Sequence, residues 1–260
     1  MYVAAVAITL FMMVPLYLIT LAAFSSRSSL DRFPLPLLPT HVSGTTMSFF
    51  LTAAGVRTAL ENSVIVGVGT LLLSLLVGIP AGYAVARYAF RGRDAYQLFI
   101  LLTRALPIII LAVPLSLTFT YLGIYDSLLS VMLAHTMLAM PTTVLITASI
   151  FVAVPKDVEE AALVFGCSRA GAFRKVVVPL ALPGVAASSI FTFVLSWNEV
   201  FAATILTLTN RTLPAQLLST LNYSPLAFRF AGGFALVLPS MLFILVMRRY
   251  LFRMWGSVVR

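Results

Sequence analysis

Long apolar stretches, punctuated by short clusters of Arg, Lys, Pro and Gly, set the rhythm of this chain. A helix needs about 20 apolar residues to cross the roughly 30 Å hydrocarbon core of a bilayer. Six stretches come close to that length or exceed it, at about residues 3–24, 63–86, 97–118, 128–154, 182–206 and 232–247. The third and fourth are separated by Gly123-Ile124-Tyr125-Asp126-Ser127, which predicts a tight turn. No β-type alternation and no repeat of a solenoid's period competes with this pattern. The expectation is an all-α integral membrane protein, a single transmembrane domain over residues 1–260 with about six transmembrane helices.

Proline stands within several of these stretches, as Pro15, Pro80, Pro107, Pro114, Pro141 and Pro239. It frees a carbonyl that neighbouring helices or water must satisfy. Such helices are either simply kinked or widened around a cavity. The first stretch is too long for the apolar core of a signal peptide. It has no basic n-region and ends in Phe24-Ser25-Ser26-Arg27 without an Ala-x-Ala site, so it reads as a span.

Composition sharpens this picture. The 260 residues are 61% hydrophobic and 10% charged, where a soluble domain is about 25% charged. A single soluble core stops growing near ~250–300 residues, so the excess apolar surface belongs in lipid. The formal charge of +9 would suggest nucleic acid on a soluble protein. Its distribution argues otherwise. The segments after spans two, four and six hold Arg87, Arg91 and Arg93; Lys156, Arg169, Arg174 and Lys175; and Arg248, Arg249, Arg253 and Arg260. The other side holds Arg27, Arg32, Arg57, Arg211 and Arg229 over longer loops. Because Lys and Arg collect on the cytoplasmic side, the even loops and both termini are expected in the cytoplasm.

Several chemistries are disfavoured. One cysteine, Cys167, provides neither a disulfide framework nor a Cys-based metal site. His41 and His135 are far apart and have no local ligand partners, and His135 reads as packing. A secondary transporter usually needs inverted repeats and midplane carboxylates, yet only Glu199 fits that role. A membrane enzyme would cluster His, Asp or Glu, and no such cluster is visible. The only lysines, Lys156 and Lys175, follow Pro155 and Arg174, so there is no Gly-Lys-Ser/Thr phosphate loop. If ATP drives this protein, the ATPase is another polypeptide.

The informative loop follows span four, at residues 155–181. Pro155 suits a first helical turn, and Asp157, Glu159 and Glu160 place negative charge at the helix's positive end. Val158, Ala161, Ala162 and Phe165 follow i, i+3, i+4, i+7 and give one apolar face. Gly166 stands where a C-terminal cap is expected. Ser168 can cap a second helix, which Pro179 should terminate. A small apolar ridge with an acidic shoulder suits a protein groove better than an anionic leaflet.

The spacing Glu160-Ala161-Ala162-x3-Gly166-x9-Val176-x-Val178-Pro179 resembles the EAA loop of permeases from binding-protein-dependent ABC importers. Glu61-Asn62-Ser63, Ala84-Val85-Ala86-Arg87-Tyr88, Phe90-Arg91-Gly92-Arg93, Gly123-Ile124-Tyr125-Asp126, Trp197-Asn198-Glu199 and Arg211-Thr212-Leu213-Pro214 are similar to its maltose-transporter-type, carbohydrate-importing branch. The resemblance covers essentially the whole chain. Its one departure is the start, which lacks a basic head, and the sequence is expected to be short there.

The resemblance implies a type I ABC importer permease fold whose loop forms a cytoplasmic coupling helix. Val158, Glu160, Ala161, Ala162, Phe165, Gly166 and Pro179 would then serve docking onto an ATPase. It also implies a second homologous permease, two copies of the ATPase carrying ATP and Mg, and an extracytoplasmic solute-binding protein. The setting would be a bacterial or archaeal cytoplasmic membrane, and the solute a sugar, oligosaccharide or polyol. This chain would carry no catalytic residue, metal or cofactor and would bind no nucleic acid. Arg104 and Glu199 fall within predicted spans, where a charge is costly and faces a cavity or a partner. With Asn198, they are candidates for an ion pair within the chain or to the other permease, or for contact with the solute; the third reading is that Arg104 and Glu199 lie near a boundary and snorkel to water.

Overall fold

The computed structural model describes residues 2–30, 37–38 and 41–256. Arg32 and Arg260, counted among the loop charges above, lie outside the described residues, as do the side chains of Arg27 and Arg253. Thirteen helices are described, in the order α1 (Tyr2–Ala23), α2 (Arg27–Leu30), α3 (Thr45–Thr52), α4 (Val56–Arg87), α5 (Arg93–Thr103), α6 (Ile108–Tyr121), α7 (Leu128–Ala153), α8 (Lys156–Val164), α9 (Arg169–Ala172), α10 (Val178–Asn198), α11 (Phe201–Leu206), α12 (Leu213–Thr220) and α13 (Leu226–Gly256). No strand occurs among the described residues.

The helices pack through small and hydroxylated residues, as expected where lipid removes the hydrophobic drive between helices and close approach decides. The centre is the α4–α7 pair. Gly69 of α4 faces Met132 of α7, Gly78 faces Thr143 and Gly82 faces Thr147. A Cβ at Gly78 would stand 2.5 Å from the Thr143 methyl, so only glycine permits this approach. The Thr147 hydroxyl donates to the Gly78 carbonyl at 3.0 Å.

These contacts also fix direction. Residue numbers rise together along α4 and α7, so the two helices run parallel. Chain 88–127 must therefore return the full length of the pair, and α5 and α6 together make that crossing. Five continuous helical stretches are long and apolar enough to span, and this bent pair supplies the sixth crossing.

The remaining pairs run antiparallel. Thr192 of α10 meets Thr143 at 3.0 Å, while Ser196, one turn on, meets His135 at 2.9 Å. Phe193 stacks on Phe243 of α13 with ring centroids 4.2 Å apart, and Trp197 Nε1 donates to the Leu236 carbonyl at 2.8 Å. Phe24, at the end of α1, meets Phe234 edge-on. All segments richest in Arg and Lys thus fall at one end of the bundle.

The elements depart from the sequence expectation where backbone chemistry intervenes. The third span is not one rod over 97–118: α5 and α6 meet at 92°. Pro107 has no N–H to donate and disfavours a helical residue before it, so the helix stops at Thr103 and restarts at Ile108. Arg104 therefore lies at a corner rather than inside a span. The fifth span ends at Asn198, not near 206, and the chain restarts at Phe201. The second begins at Val56, ahead of 63, and the last runs Leu226–Gly256 rather than 232–247, because Arg and polar residues at span ends reach water while their backbone stays helical.

Pro179 does not terminate the helix after Ser168. α9 passes through a π-helical turn at Phe173–Val177 into α10, and the Val178 amide bonds to the Phe173 carbonyl. Widening the turn accommodates a proline that cannot donate to its own carbonyl four residues back.

Candidate functional site

Two regions concentrate the chemistry, one at the basic end of the bundle and one between the helices.

At the basic end, α7 stops at Val154 and Pro155 takes the N-cap position of α8 with extended ψ. Asp157 and Glu159 occupy the first turn of α8. Its end is a Schellman motif: the Gly166 amide bonds to the Leu163 carbonyl and the Cys167 amide to the Ala162 carbonyl, both at 3.0 Å. That closure needs a left-handed residue, and Gly166 has φ +88°. The Ser168 hydroxyl then accepts from the Gly171 amide at 3.1 Å and starts α9.

The α8 helix is tethered rather than free. Arg87, the last residue of α4, places Nε 3.0 Å from Glu159 Oε2, with the two side chains 7% and 16% exposed. Its second arm donates to the Val154 carbonyl at 2.9 Å. The Tyr83 hydroxyl donates to the other Glu159 oxygen. Tyr83 also packs on Phe173 of the π turn, and both rings meet Phe151 of α7. One carboxylate thus joins α8 to α4 and, through Arg87, to the end of α7.

Away from this tether, the loop presents apolar surface. Phe165 is 88% exposed and Val164 85%, and Val158, Ala161 and Glu160 are exposed beside them. Ala162 is instead buried against the chain itself, and Pro179 is exposed near the start of α10. Of the predicted docking residues, Val158, Ala161 and Phe165 share an exposed face, Glu160 is exposed on the side that lines the Arg87–Glu159 tether, Ala162 faces inward, and Gly166 makes the turn. In the sequence Arg87 counts as a loop charge within a family-like stretch, and Glu159 as a dipole partner. Their separation of 72 positions left no local signal that they would meet.

Between the helices, His135 is packed in the core, as the sequence suggests, and it also carries polar contacts there that the sequence does not show. It is fully buried, with Nδ1 2.9 Å from the Ser196 hydroxyl and Nε2 3.0 Å from Glu199 Oε2. Glu199 also accepts from the amides of Ala202 at 3.0 Å and Ala203 at 3.1 Å, so it caps α11 across the break. The intramembrane pair is therefore Glu199 with His135, and no Glu199–Arg104 ion pair forms. Asn198 is exposed, and its amide donates to the Val194 carbonyl. The Arg104 side chain has no hydrogen-bond or ionic partner among the described residues. It lines two adjoining cavities of about 440 and 420 Å³, bounded by the α5–α6 corner, α7 and α10, with Thr142 and Leu195 in both.

At the far end, loops lock the helices. Asn62 donates to the Arg211 carbonyl at 3.0 Å, and the Leu213 amide donates to the Ser63 hydroxyl at 2.7 Å, so two motifs far apart in sequence meet here. Asp126 accepts from the amides of Leu208, Thr209 and Asn210 and from the Thr209 hydroxyl. Partial burial raises its pKa, but these bonds outweigh it and hold the carboxyl down to about 2.

These features define a class: a polytopic helical membrane subunit with a tethered elbow whose apolar ridge faces outward at its basic end, and a groove between its helices. The chain belongs to the family described as binding-protein-dependent transport system inner membrane component, whose profile matches residues 78–255. It is 31% identical over 201 residues to the diacetylchitobiose uptake system permease protein DasC of Streptomyces coelicolor, covering 76% of this chain and 72% of that one. It is also 31% identical over 198 residues to the trehalose transport system permease protein SugB of Mycobacterium tuberculosis, covering 74% and 72%. In fold it resembles a chain of a bacterial ABC transporter that imports the acidic polysaccharide alginate, with TM-score 0.74, 20% identity and coverage of 96% and 95%. The protein is a multi-pass ABC importer permease, a membrane component rather than an enzyme.

Proposed function

We propose that this chain forms half of the pathway of a carbohydrate importer and is driven through α8 by a separate ATPase. The observation that carries the coupling role is the combination at α8. An apolar ridge at Val164 and Phe165 faces outward, while Glu159 on the same helix is held by Arg87 and Tyr83 of α4. A push on the ridge is therefore passed to α4 and to the end of α7. Because α4 and α7 are packed glycine to threonine, they move together and carry the walls of the Arg104 groove with them.

In this reading two copies of a cytoplasmic ATPase bind ATP and Mg, a second homologous permease completes the pore, and an extracytoplasmic binding protein delivers the solute. The sugar-uptake roles of DasC and SugB support a carbohydrate-type solute. The basic end of the bundle, with both termini and α8, faces the cytoplasm of a bacterial or archaeal cell, as the Lys and Arg distribution supports.

The test is a mild-detergent pull-down of the tagged chain from its native membrane, for wild type and a Glu160→Lys, Phe165→Asp variant. Wild type is expected to bring down a P-loop ATPase and a second permease, and the variant to lose the ATPase. Retention of the ATPase by the variant, with ATP-driven uptake intact, refutes docking through this ridge.

A further inference from the structure

We infer that Arg104 is a binding point for an anionic substituent, of carboxylate, sulfonate or phosphate type, on the carbohydrate solute that crosses this groove. The inference rests on the permease reading above and adds a charge class to its substrate. Arg104 lines both cavities at the α5–α6 corner; the residue is exposed, and its side chain has no hydrogen-bond or ionic partner among the described residues. A permanently charged group beside spans is normally paired or faces water, and one without a partner in a mostly apolar groove is free to receive an anion.

The nearest candidate counterion within the chain is already engaged. Glu199 is the only acidic residue lining either cavity, and it is held by His135 and by the amides of Ala202 and Ala203. Most of the lining is apolar. Around Arg104 it includes Leu195, Ile190 and Met137, with the Thr142 hydroxyl on hand for a neutral sugar hydroxyl. In such surroundings a charge-assisted bond is stronger than in water, and the planar guanidinium matches two oxygens of one anionic group.

The test uses the purified membrane complex in lipid nanodiscs and a pair of probes, a uronic-acid disaccharide and its neutral hexose counterpart, measured by calorimetry. Wild type is expected to bind the uronate at least about tenfold more tightly than the neutral sugar. Arg104→Gln is expected to remove that preference and Arg104→Lys to keep part of it. No uronate binding, equal binding of the two probes, or an unchanged preference in Arg104→Gln overturns the inference. Size-exclusion chromatography of Arg104→Gln addresses the competing role: loss of the second permease would make Arg104 half of an ion pair between permeases and also overturns it. Arg104→Cys in a Cys167→Ser background separates the two levels. If water-soluble thiol reagents cannot reach it, the groove is not a solute path and the underlying reading fails. If they reach it but the uronate preference is absent, only the charge inference falls.

Discussion

Gly166 has φ +88°, and nothing lies within 4 Å of the place where a Cβ would stand. Its requirement is one of backbone alone. A left-handed L-residue costs roughly 1–2 kcal/mol, more if β-branched and less for asparagine. Gly166→Val should therefore abolish ATP-driven uptake or lower it severalfold, while Gly166→Asn keeps most of it; equal uptake in the two variants would mean the turn is dispensable. Asp126 gives a second residue-scale prediction. Its folded pKa is depressed, so its contribution to stability is complete above the ordinary carboxylate value near 4 and is lost as pH falls through about 2. The difference in thermal midpoint between wild type and Asp126→Ala should stay constant from pH 7 to 5 and shrink below about 4. Asp126→Asn should lose less, since its amide oxygen can still accept from the three backbone amides and its φ of +55° suits Asn. The need for glycine at 166 was legible in the sequence, because it follows an apolar stripe at the right interval. The partners of Asp126 were not, because they lie more than 80 positions away.

Among the elements, the α8 tether carries the sharpest expectation. Arg87 and Glu159 are mostly buried, and removing one member of such a pair strands the other, at about 3–5 kcal/mol, whereas replacing both by apolar residues is far milder. Arg87→Met and Glu159→Leu, each alone, should lower the thermal midpoint of the complex and cut uptake at least about tenfold. The double variant should recover stability but not uptake, because α8 would then dock without dragging α4. Recovery of both would reduce the pair to a structural contact, and recovery of neither would leave the transmission role without support. The helical spans were legible because apolar length alone predicts them. The breaks at Arg104–Pro107 and at Glu199 were not: the stretch at Glu199 has no proline or glycine to mark a break, and proline in a membrane helix is compatible with a mild kink as well as a right-angle corner. What decides between them is whether neighbouring helices leave room. The continuity through Pro179 was hidden for a related reason: a π turn is a backbone adjustment with no residue signature of its own.

Across the whole molecule, packing direction fixes which segments share an end of the bundle, and charge is the argument for which side that end faces. The parallel run of α4 and α7 forces residues 88–127 to cross, which puts Arg91, Cys167 and the end of α13 at one end of the bundle and Asn210 at the other. The Lys and Arg distribution supports the proposal that the first end is the cytoplasmic one, and the two arguments share no observation. The chain supplies its own probe, since Cys167 is its only cysteine and is partly exposed in the turn after α8. In sealed, right-side-out vesicles a membrane-impermeant maleimide should leave native Cys167 unlabelled until the bilayer is opened. In a Cys167→Ser background, Asn210→Cys should label from outside and Arg91→Cys only after opening. If Arg91→Cys and Asn210→Cys labelled from the same side, the bent α5–α6 pair would not cross, and α4 and α7 could not lie parallel as packed. If each pair of sites kept its separation but labelled from the opposite faces, the six crossings would stand and the charge argument would fall, taking with it the placement of α8 against a cytoplasmic ATPase.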